Sequence, residues 1–274
     1  MTPPLMTIDC ESIAAESFSA LAAARPIPLF SNRYPGIGLD DAYRAMGRLC
    51  KLREAHGETV VGRKIGFTNR TIWAEYGVYA PMWGFMFAST VRDLAACDTL
   101  SLAPFAEPRI EPEIVFGLAR SPAPDMDEAA LLGCIDWIAH GFEIVQSVFP
   151  GWKFAAADTV IVNGLHGALL IGPRRQAARR TAQWLSTLAS FEIDLFRDGA
   201  VVDRGHAANV LDGPLSALRH LVGLLACDPF NRPLDAGEIV TTGTLTRAFP
   251  IKPGETWSTM PHGVALDALR VRFS

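Results

Sequence analysis

The sequence predicts an α+β protein built on a large mixed sheet or roll. It divides into a helical N-terminal part, about residues 1–100, and a β-rich part, about residues 101–274. Three observations carry this. The clearest helical patterns lie between residues 10 and 55. Strand-like runs dominate from about residue 109. Helical stretches recur between those runs, as crossovers within a mixed sheet require. A length of 274 residues suits one core of this kind.

Taken in order, residues 10–24 read as a helix stopped by Pro26 and Pro28. The segment Ser31–Leu39 is turn-rich. Asp40 is a candidate N-cap for a helix to about Ala55, and Gly57 its stop signal. Thr59–Phe67 reads as a strand and Asn69–Tyr76 as a short helix. The aromatic run VYAPMWGFMF after it has no clear period. Arg109–Leu118 is a strand whose Pro112 suggests an edge or a strand start. Asp127–Ile138 has helical spacing with Asp127 at its cap. Gly141–Ser147 and the very apolar Thr159–Gly172 read as strands. Gln176–Ala189 is helical. Phe191–Phe196 and Ala200–Arg204 flank Asp198-Gly199, a hairpin signal. Asp212–Ala226 is a helix with Pro214 in its first turn. Glu238–Thr242, Glu255–Thr259 and Val264–Phe273 close the chain as strands.

Hydrophobic residues make up 49 % of the chain and charged residues 20 %, with mean hydropathy +0.19. This excludes a mainly disordered chain. Twenty-five basic against 29 acidic residues give a net charge of −4, with no basic stripe to neutralise a phosphate backbone, so nucleic acid is not an expected partner. The five cysteines (Cys10, Cys50, Cys97, Cys134, Cys227) are scattered and form no CxxC pair, which points to free thiols in a reducing cytoplasm. No apolar run reaches membrane-spanning length, and Glu11 and Glu16 interrupt the Ala-rich start, so neither a membrane partner nor a signal peptide is expected.

The sharpest chemical feature is Glu111-Pro112-Glu113. Alternate residues of a strand share a face, which sets these carboxylates roughly 7 Å apart at their Cα atoms. The strand continues into Ile114, Val115 and Phe116, so the pair is partly buried and calls for a proton or a cation. Glu143, in GFEIV, is a third acid in an apolar strand. Three carboxylates form a hard oxygen cage suited to Mg²⁺ or Mn²⁺. The competing reading is a solvated face, with Glu143 paired to an arginine. Lys64, in GRKIGF, either reaches outward to water or is held inward with a lowered pKa suited to proton transfer; Arg63 then faces the other way. His166 and His140, in apolar strands, read as hydrogen-bonded core residues. There is no HExxH, no G-x-S-x-G, no P-loop, and Gly36-Ile37-Gly38 lacks a third dinucleotide-binding glycine.

In order, these blocks resemble the 2-keto-4-pentenoate hydratase / 4-oxalocrotonate decarboxylase family, within the fumarylacetoacetase-like superfamily. The resemblance runs almost end to end. It is carried by ARPIP with YPGIGLDDAY, GRKIGFTN with GVYAPMWGFMF, RIEPEIVFGL, GFEIVQS, WKFAAADTVIVNG, GHAANVLDGPLSALRHL and GEIVTTGTLTRAFPIKPGETW. It implies one fumarylacetoacetase-like domain over 1–274, a mixed β-roll with a helical N-terminal part. It implies metal ligands at Glu111, Glu113 and Glu143, catalytic residues at Lys64 and Asp158, and substrate contacts at Asn163, Thr242 and Gly243. In the Asp158 block, Asn163 matches the family, whereas Val162 stands for an acid and Leu165-His166 for small polar residues.

The implied activity is that of a Mg²⁺- or Mn²⁺-dependent lyase on a small 2-oxo acid, foremost the hydration of 2-hydroxypenta-2,4-dienoate-type substrates in aromatic hydrocarbon catabolism. Decarboxylation of the 4-oxalocrotonate type is the alternative. A C–C hydrolase of fumarylacetoacetase type would need a His–Glu pair, for which His56 and Glu58 lie outside the matching block. A small-acid-binding or complex-supporting subunit is the non-enzyme alternative. The resemblance further implies a homo-oligomer, associated with a partner pathway enzyme, with Trp83 as a candidate contact.

Overall fold

The computed structural model describes residues 8–97 and 99–274. Helix α1 (Cys10–Ala22) is capped by Asp9, whose carboxylate accepts from the N–H groups of Glu11 and Ser12. A single turn, α2 (Phe30–Arg33), stands where the sequence reads as turn only. Helix α3 (Leu39–Ala55) begins after Gly38, one residue before the expected cap. Asp40 and Asp41 therefore lie in its first turn, where the helix dipole favours acids. Strand β1 (Val60–Gly66) leads through a 3₁₀ turn capped by Asn69 to helix α4 (Trp73–Tyr76). Strand β2 (Met82–Phe87) occupies the run that showed no period, because all six of its residues are buried and alternation is lost. Strand β3 (Val91–Asp93) follows. The first hundred residues thus hold three strands of the roll besides the helices.

Strand β4 (Arg109–Leu118) has the expected bounds. Helix α5 (Glu128–Leu132), capped by Asp127, is one short turn rather than the helix expected to Ile138. Gly133 ends it, and Ile135 already starts the long strand β5 (Ile135–Val145). The apolar stretch from Thr159 likewise divides, into helix α6 (Ala156–Ile161) and strand β6 (His166–Ile171). Strand β7 (Arg175–Gln176) and helix α7 (Thr181–Leu188) precede the hairpin of β8 (Glu192–Arg197) and β9 (Ala200–His206). Its turn residues Asp198 and Gly199 both have positive φ, 51° and 83°, as a tight type I′ hairpin requires. Helix α8 (Pro214–Ala226) has its proline in the first turn. Strands β10 (Ile239–Thr241), β11 (Phe249–Pro250), β12 (Thr256–His262) and β13 (Leu269–Arg272) complete the chain.

The main sheet runs β2-β1-β10-β4-β5-β6-β3, with β11 added to β4 and β7 to β5; a second sheet runs β13-β12-β8-β9. Ile110, Phe142, Ile144 and Leu170 of the main sheet pack against Leu195, Trp257, Leu269 and Val271 of the second. The N-terminal helices join a larger apolar cluster that includes Ile13, Met46, Trp83, Phe85 and Val160. This is the α+β roll expected from the sequence.

Pro112 is not at an edge. Strand β4 is central, pairing along its whole length with β5. On its other side, β10 reaches only Val115–Gly117 and β11 only Arg109–Ile110. The N–H and C=O of one strand residue point the same way. The carbonyl of Pro112 accepts from Leu245 N at 3.0 Å, in the gap between β10 and β11. The missing proline N–H therefore falls where no ladder needs it.

Edge strand β2 is protected by a side chain. The Asn163 Oδ1 accepts from Phe85 N at 2.7 Å, and its Nδ2 donates to Phe85 O at 2.9 Å. The amide thus imitates a neighbouring strand. Gly84 allows this approach, because a Cβ there would lie 2.4 Å from the Asn163 carbonyl oxygen. Asn163→Ala leaves both polar groups of buried Phe85 unpaired. Urea denaturation is expected to show a loss of about 2 kcal/mol; an unchanged midpoint would show that the clamp contributes nothing.

Candidate metal centre and active site

Register places the acids. Glu111 pairs directly with Glu143 across β4 and β5, and Glu113 with Gly141. Paired residues share a face, so all three carboxylates project from one side of the sheet. One oxygen from each lies within 4.8 Å of the others. Glu113 and Glu143 are fully buried, and Glu111 is half-buried. The row continues through Thr241 of β10, which pairs with Val115, to Lys64 of β1, which pairs with Thr241.

Lys64 is the inward lysine, 3 % exposed, with Nζ 3.4 Å from Glu143 Oε2. Glycines provide its room: a Cβ on Gly66 would lie 2.9 Å from Nζ, and one on Gly164 would lie 3.2 Å from Cδ. Arg63 turns to the opposite face, as expected, where it meets Glu238 at 3.3 Å and stacks on Phe85.

Fixed donors orient two of the acids. The Gly243 N–H donates to Glu113 Oε2 at 2.7 Å. Gly243 has φ +93°, and a Cβ there would lie 1.7 Å from Thr68 Oγ1, so only glycine fits. Thr242 anchors the same turn through Oγ1 to Ile114 O at 3.1 Å. His166 Nδ1 lies 2.8 Å from Glu143 Oε1, and its Nε2 is 2.9 Å from Thr90 Oγ1. His166 is therefore a bonded core histidine, as the sequence suggests, and it also holds a member of the triad. His140 is likewise satisfied, by Glu113 O and Thr259 Oγ1. Burial pushes its pKa down to about 4, so it is neutral.

The four charged groups divide in two. Burial, the mutual repulsion with Glu143 and the attraction of Lys64 leave Glu111 raised to about 7. Burial together with the charges of Glu143 and Glu111 raises Glu113 well above the carboxylate range. Burial acts on Glu143 too, but Lys64 and His166 outweigh it and hold its pKa low. Burial pulls Lys64 down, yet the three carboxylates outweigh burial and hold its ammonium above its usual value. That is the reverse of the lowered lysine expected for an inward position. Glu113 Oε1 has no hydrogen-bond partner, and Glu143 Oε2 meets only the Lys64 ammonium at 3.4 Å. Buried carboxylate oxygens so sparsely partnered, within 4.8 Å of one another, fit a hard divalent cation.

A narrow cavity reaches the centre. Lys64, Glu111 and Thr68 line one part, and Phe67, Trp152, Phe154 and Leu165 another. Thr68 Oγ1 is buried and unpartnered. Two expected site residues lie elsewhere. Asp158 caps α6 and tethers α2, accepting from Ala155 N at 2.9 Å, Ser31 N at 2.9 Å and Ser31 Oγ at 2.6 Å. The Asn163 side chain is consumed by β2, and its neighbours Gly164 and Leu165 line the cavity instead. His56 and Glu58 do not form a catalytic pair: Glu58 takes Arg53 and Ser89, while His56 Nδ1 meets Leu52 O. Thr68 and the aromatic wall escaped the sequence reading, although Phe67 and Thr68 directly follow the lysine strand.

The five cysteines are free, and among the described residues no helix is long and apolar enough to cross a membrane. Trp83 is not an exposed contact; it is 1 % exposed and stacked on Tyr43.

No family model matches the chain. A 2-keto-4-pentenoate hydratase from Burkholderia vietnamiensis is 30 % identical, over 96 % of this chain and 97 % of that protein. A 4-oxalocrotonate decarboxylase from a Pseudomonas species is also 30 % identical, over 89 % of each. A solved 4-oxalocrotonate decarboxylase from Pseudomonas putida, complexed with magnesium and adipate, shares the fold with a TM-score of 0.87. It is 24 % identical, over 98 % of this chain and 99 % of that one. By identity carried across nearly the whole length, the chain belongs to the 2-keto-4-pentenoate hydratase / 4-oxalocrotonate decarboxylase family.

Proposed function

We propose that the protein is a divalent-metal-dependent lyase that hydrates small 2-hydroxy-2,4-dienoates. The observation that carries this reading is the Glu111–Glu113–Glu143 triad beside buried Lys64, facing a cavity of mixed polarity. The triad is the proposed site for Mg²⁺ or Mn²⁺. The bound ion supplies Lewis-acid polarisation of a 2-oxo acid and stabilises negative charge that develops beside its carbonyl.

The side chains do the rest. Gly243 N–H and His166 hold Glu113 and Glu143 in place. Thr68 Oγ1 offers a free hydroxyl to the substrate head. Ketonisation of the dienol moves its hydroxyl proton to the terminal carbon and leaves a 2-oxo-3-enoate. Water then adds across the remaining double bond, its hydroxyl to C4 and its proton to C3. Lys64 is the group proposed to deliver protons at carbon. Once the carboxylate charge is neutralised, burial alone acts on Lys64 and lowers its pKa toward the range where a proton can be exchanged. Asp158, which lines no part of the cavity, is proposed to position α6 and α2 rather than to react. We further propose one domain over 1–274 acting in the cytoplasm as a homo-oligomer. Exposed Tyr79, Phe230 and Met260 offer apolar contact surface.

The defining assay mixes the protein with Mg²⁺ and 2-hydroxypenta-2,4-dienoate or 2-oxohex-3-enedioate, following dienoate absorbance and CO₂ release. Hydration without CO₂ is expected. Lys64→Ala should lower kcat about 10²–10⁴-fold, and a normal kcat would remove Lys64 from the chemistry. Calorimetric titration with Mn²⁺ should show binding to the parent protein and none to Glu113→Ala; equal affinities would place the metal elsewhere.

The metal-free protein should also respond to pH. Between the ordinary carboxylate pKa and about 7, folded Glu111 keeps a proton that the unfolded chain has released, and Glu113 shifts in the same direction. Stability therefore falls as pH rises through this window. The Tm should drop from pH 5 to pH 8 and recover with Mn²⁺; a Tm that rises over that range would contradict the charge arrangement.

A further inference from the structure

The cavity's charge is confined to one cluster. Its charged lining residues, Lys64 and Glu111, both belong to the carboxylate–lysine cluster, with Thr68 beside them, whereas Asn69 and Thr244 spend their side chains on Thr71 and Thr246. The opposite wall is apolar. Phe67 meets Phe154 edge to face, with centroids 6.4 Å apart, and Trp152 lies 6.1 Å from Phe154. Leu165 and Val145 close the wall and are almost wholly buried. Among the described residues no cation lines this wall. Arg109, with Cζ 4.2 Å over the Trp152 ring, is not a lining residue, and its charge acts on Glu111. Lys153, between Trp152 and Phe154, is exposed and also outside the lining.

The wall is held by unusual backbone. Phe67, Trp152 and Leu165 have φ values of 54°, 57° and 63°, a region that costs side-chain-bearing residues about 1–3 kcal/mol each. These strained residues come from three separate segments and converge on one cavity. Each contributes a large apolar side chain to the lining.

We infer that Phe67, Trp152, Phe154 and Leu165 determine specificity: they select 2-oxo or 2-hydroxy acids whose tail is apolar and reject those that end in a second carboxylate. This rests on the 2-oxo acid reading above and deepens it. With the head carboxylate at the triad and Lys64, a terminal carboxylate would be stripped of water against aromatic rings, with no cation among the described residues of that wall to meet it. Burying an unpaired charge is strongly unfavourable. An apolar conjugated tail instead gains from burial against the same rings.

The test uses two unreactive acids of equal length, 2-oxohexanoate and 2-oxohexanedioate. They differ only in a terminal methyl or carboxylate. Binding to the Mg²⁺-loaded protein is measured by calorimetry and by competition with the dienoate. The monoacid is expected to bind at least about tenfold more tightly, a factor equal to about 1.4 kcal/mol. Trp152→Ala and Phe154→Ala should narrow the ratio, and Phe154→Arg, which supplies a cation at the wall, should raise diacid affinity. Equal or tighter binding of the diacid by the parent protein overturns the inference while leaving the 2-oxo acid reading intact. Binding of neither acid overturns both. The comparison on the parent protein decides the matter even if a variant fails to fold.

Discussion

The structure depends on one electrostatic constraint: three carboxylates and one ammonium are held on the dry face of a central sheet. Such a cluster is tolerated only when opposite charges and fixed donors offset much of the lost hydration. Its supports come from distant parts of the chain. Register brings Glu111 opposite Glu143. A parallel pairing of β1 with β10 brings Lys64 alongside. The turn after β10 brings Gly243 N–H to Glu113, and the start of β6 brings His166 to Glu143. Strand β4 must lie between β10 and β5 for these contacts to coexist. That explains why a proline is accommodated at its centre rather than displaced to an edge.

The cluster is unevenly charged, and the asymmetry follows from which partners are permanent. Glu143 has Lys64 and His166 as neighbours and stays ionised. Glu113 has a neutral N–H donor and two acidic neighbours, so it favours the protonated form. On the proposal that the triad holds a divalent cation, that cation would compete with the protons on Glu111 and Glu113, and the charge that holds the Lys64 proton would change with it.

Much of this was legible in the residues. The Glu-x-Glu spacing and the apolar context of Glu143 point to a shared buried face, whereas the sequence left the direction of Lys64 open; the structure unites all four charges. The hairpin at Asp198-Gly199 and the cap Asp127 rest on local chemistry too, and they form. What escaped depends on tertiary context. Strand β2 lost its alternation because helices and the Asn163 amide cover it on all sides. Residues 127–138 keep helical spacing, yet Gly133 stops the helix and ten rungs of pairing with β4 take over the remainder. Asp158 and Asn163 were polar residues in an apolar block, the pattern of a site. Their side chains are instead spent on backbone groups 127 and 78 residues away in sequence.

The misplacement of Asn163 explains how the cavity acquires its shape. Asn163, Gly164 and Leu165 all have φ near 63°, three consecutive left-handed residues between α6 and β6. Such a run is costly unless something over-determines it. The Asn163 amide does so from one side, through its two bonds to Phe85. Strand β6, starting at His166 and bonded to Glu143, does so from the other. Between these anchors, Gly164 passes close to the Lys64 stem and Leu165 is turned into the cavity. One short segment therefore secures the sheet edge, encloses the lysine, supplies apolar wall and holds a triad carboxylate. Because these roles share a single backbone run, substitutions there should be felt together in stability and in the shape of the cavity.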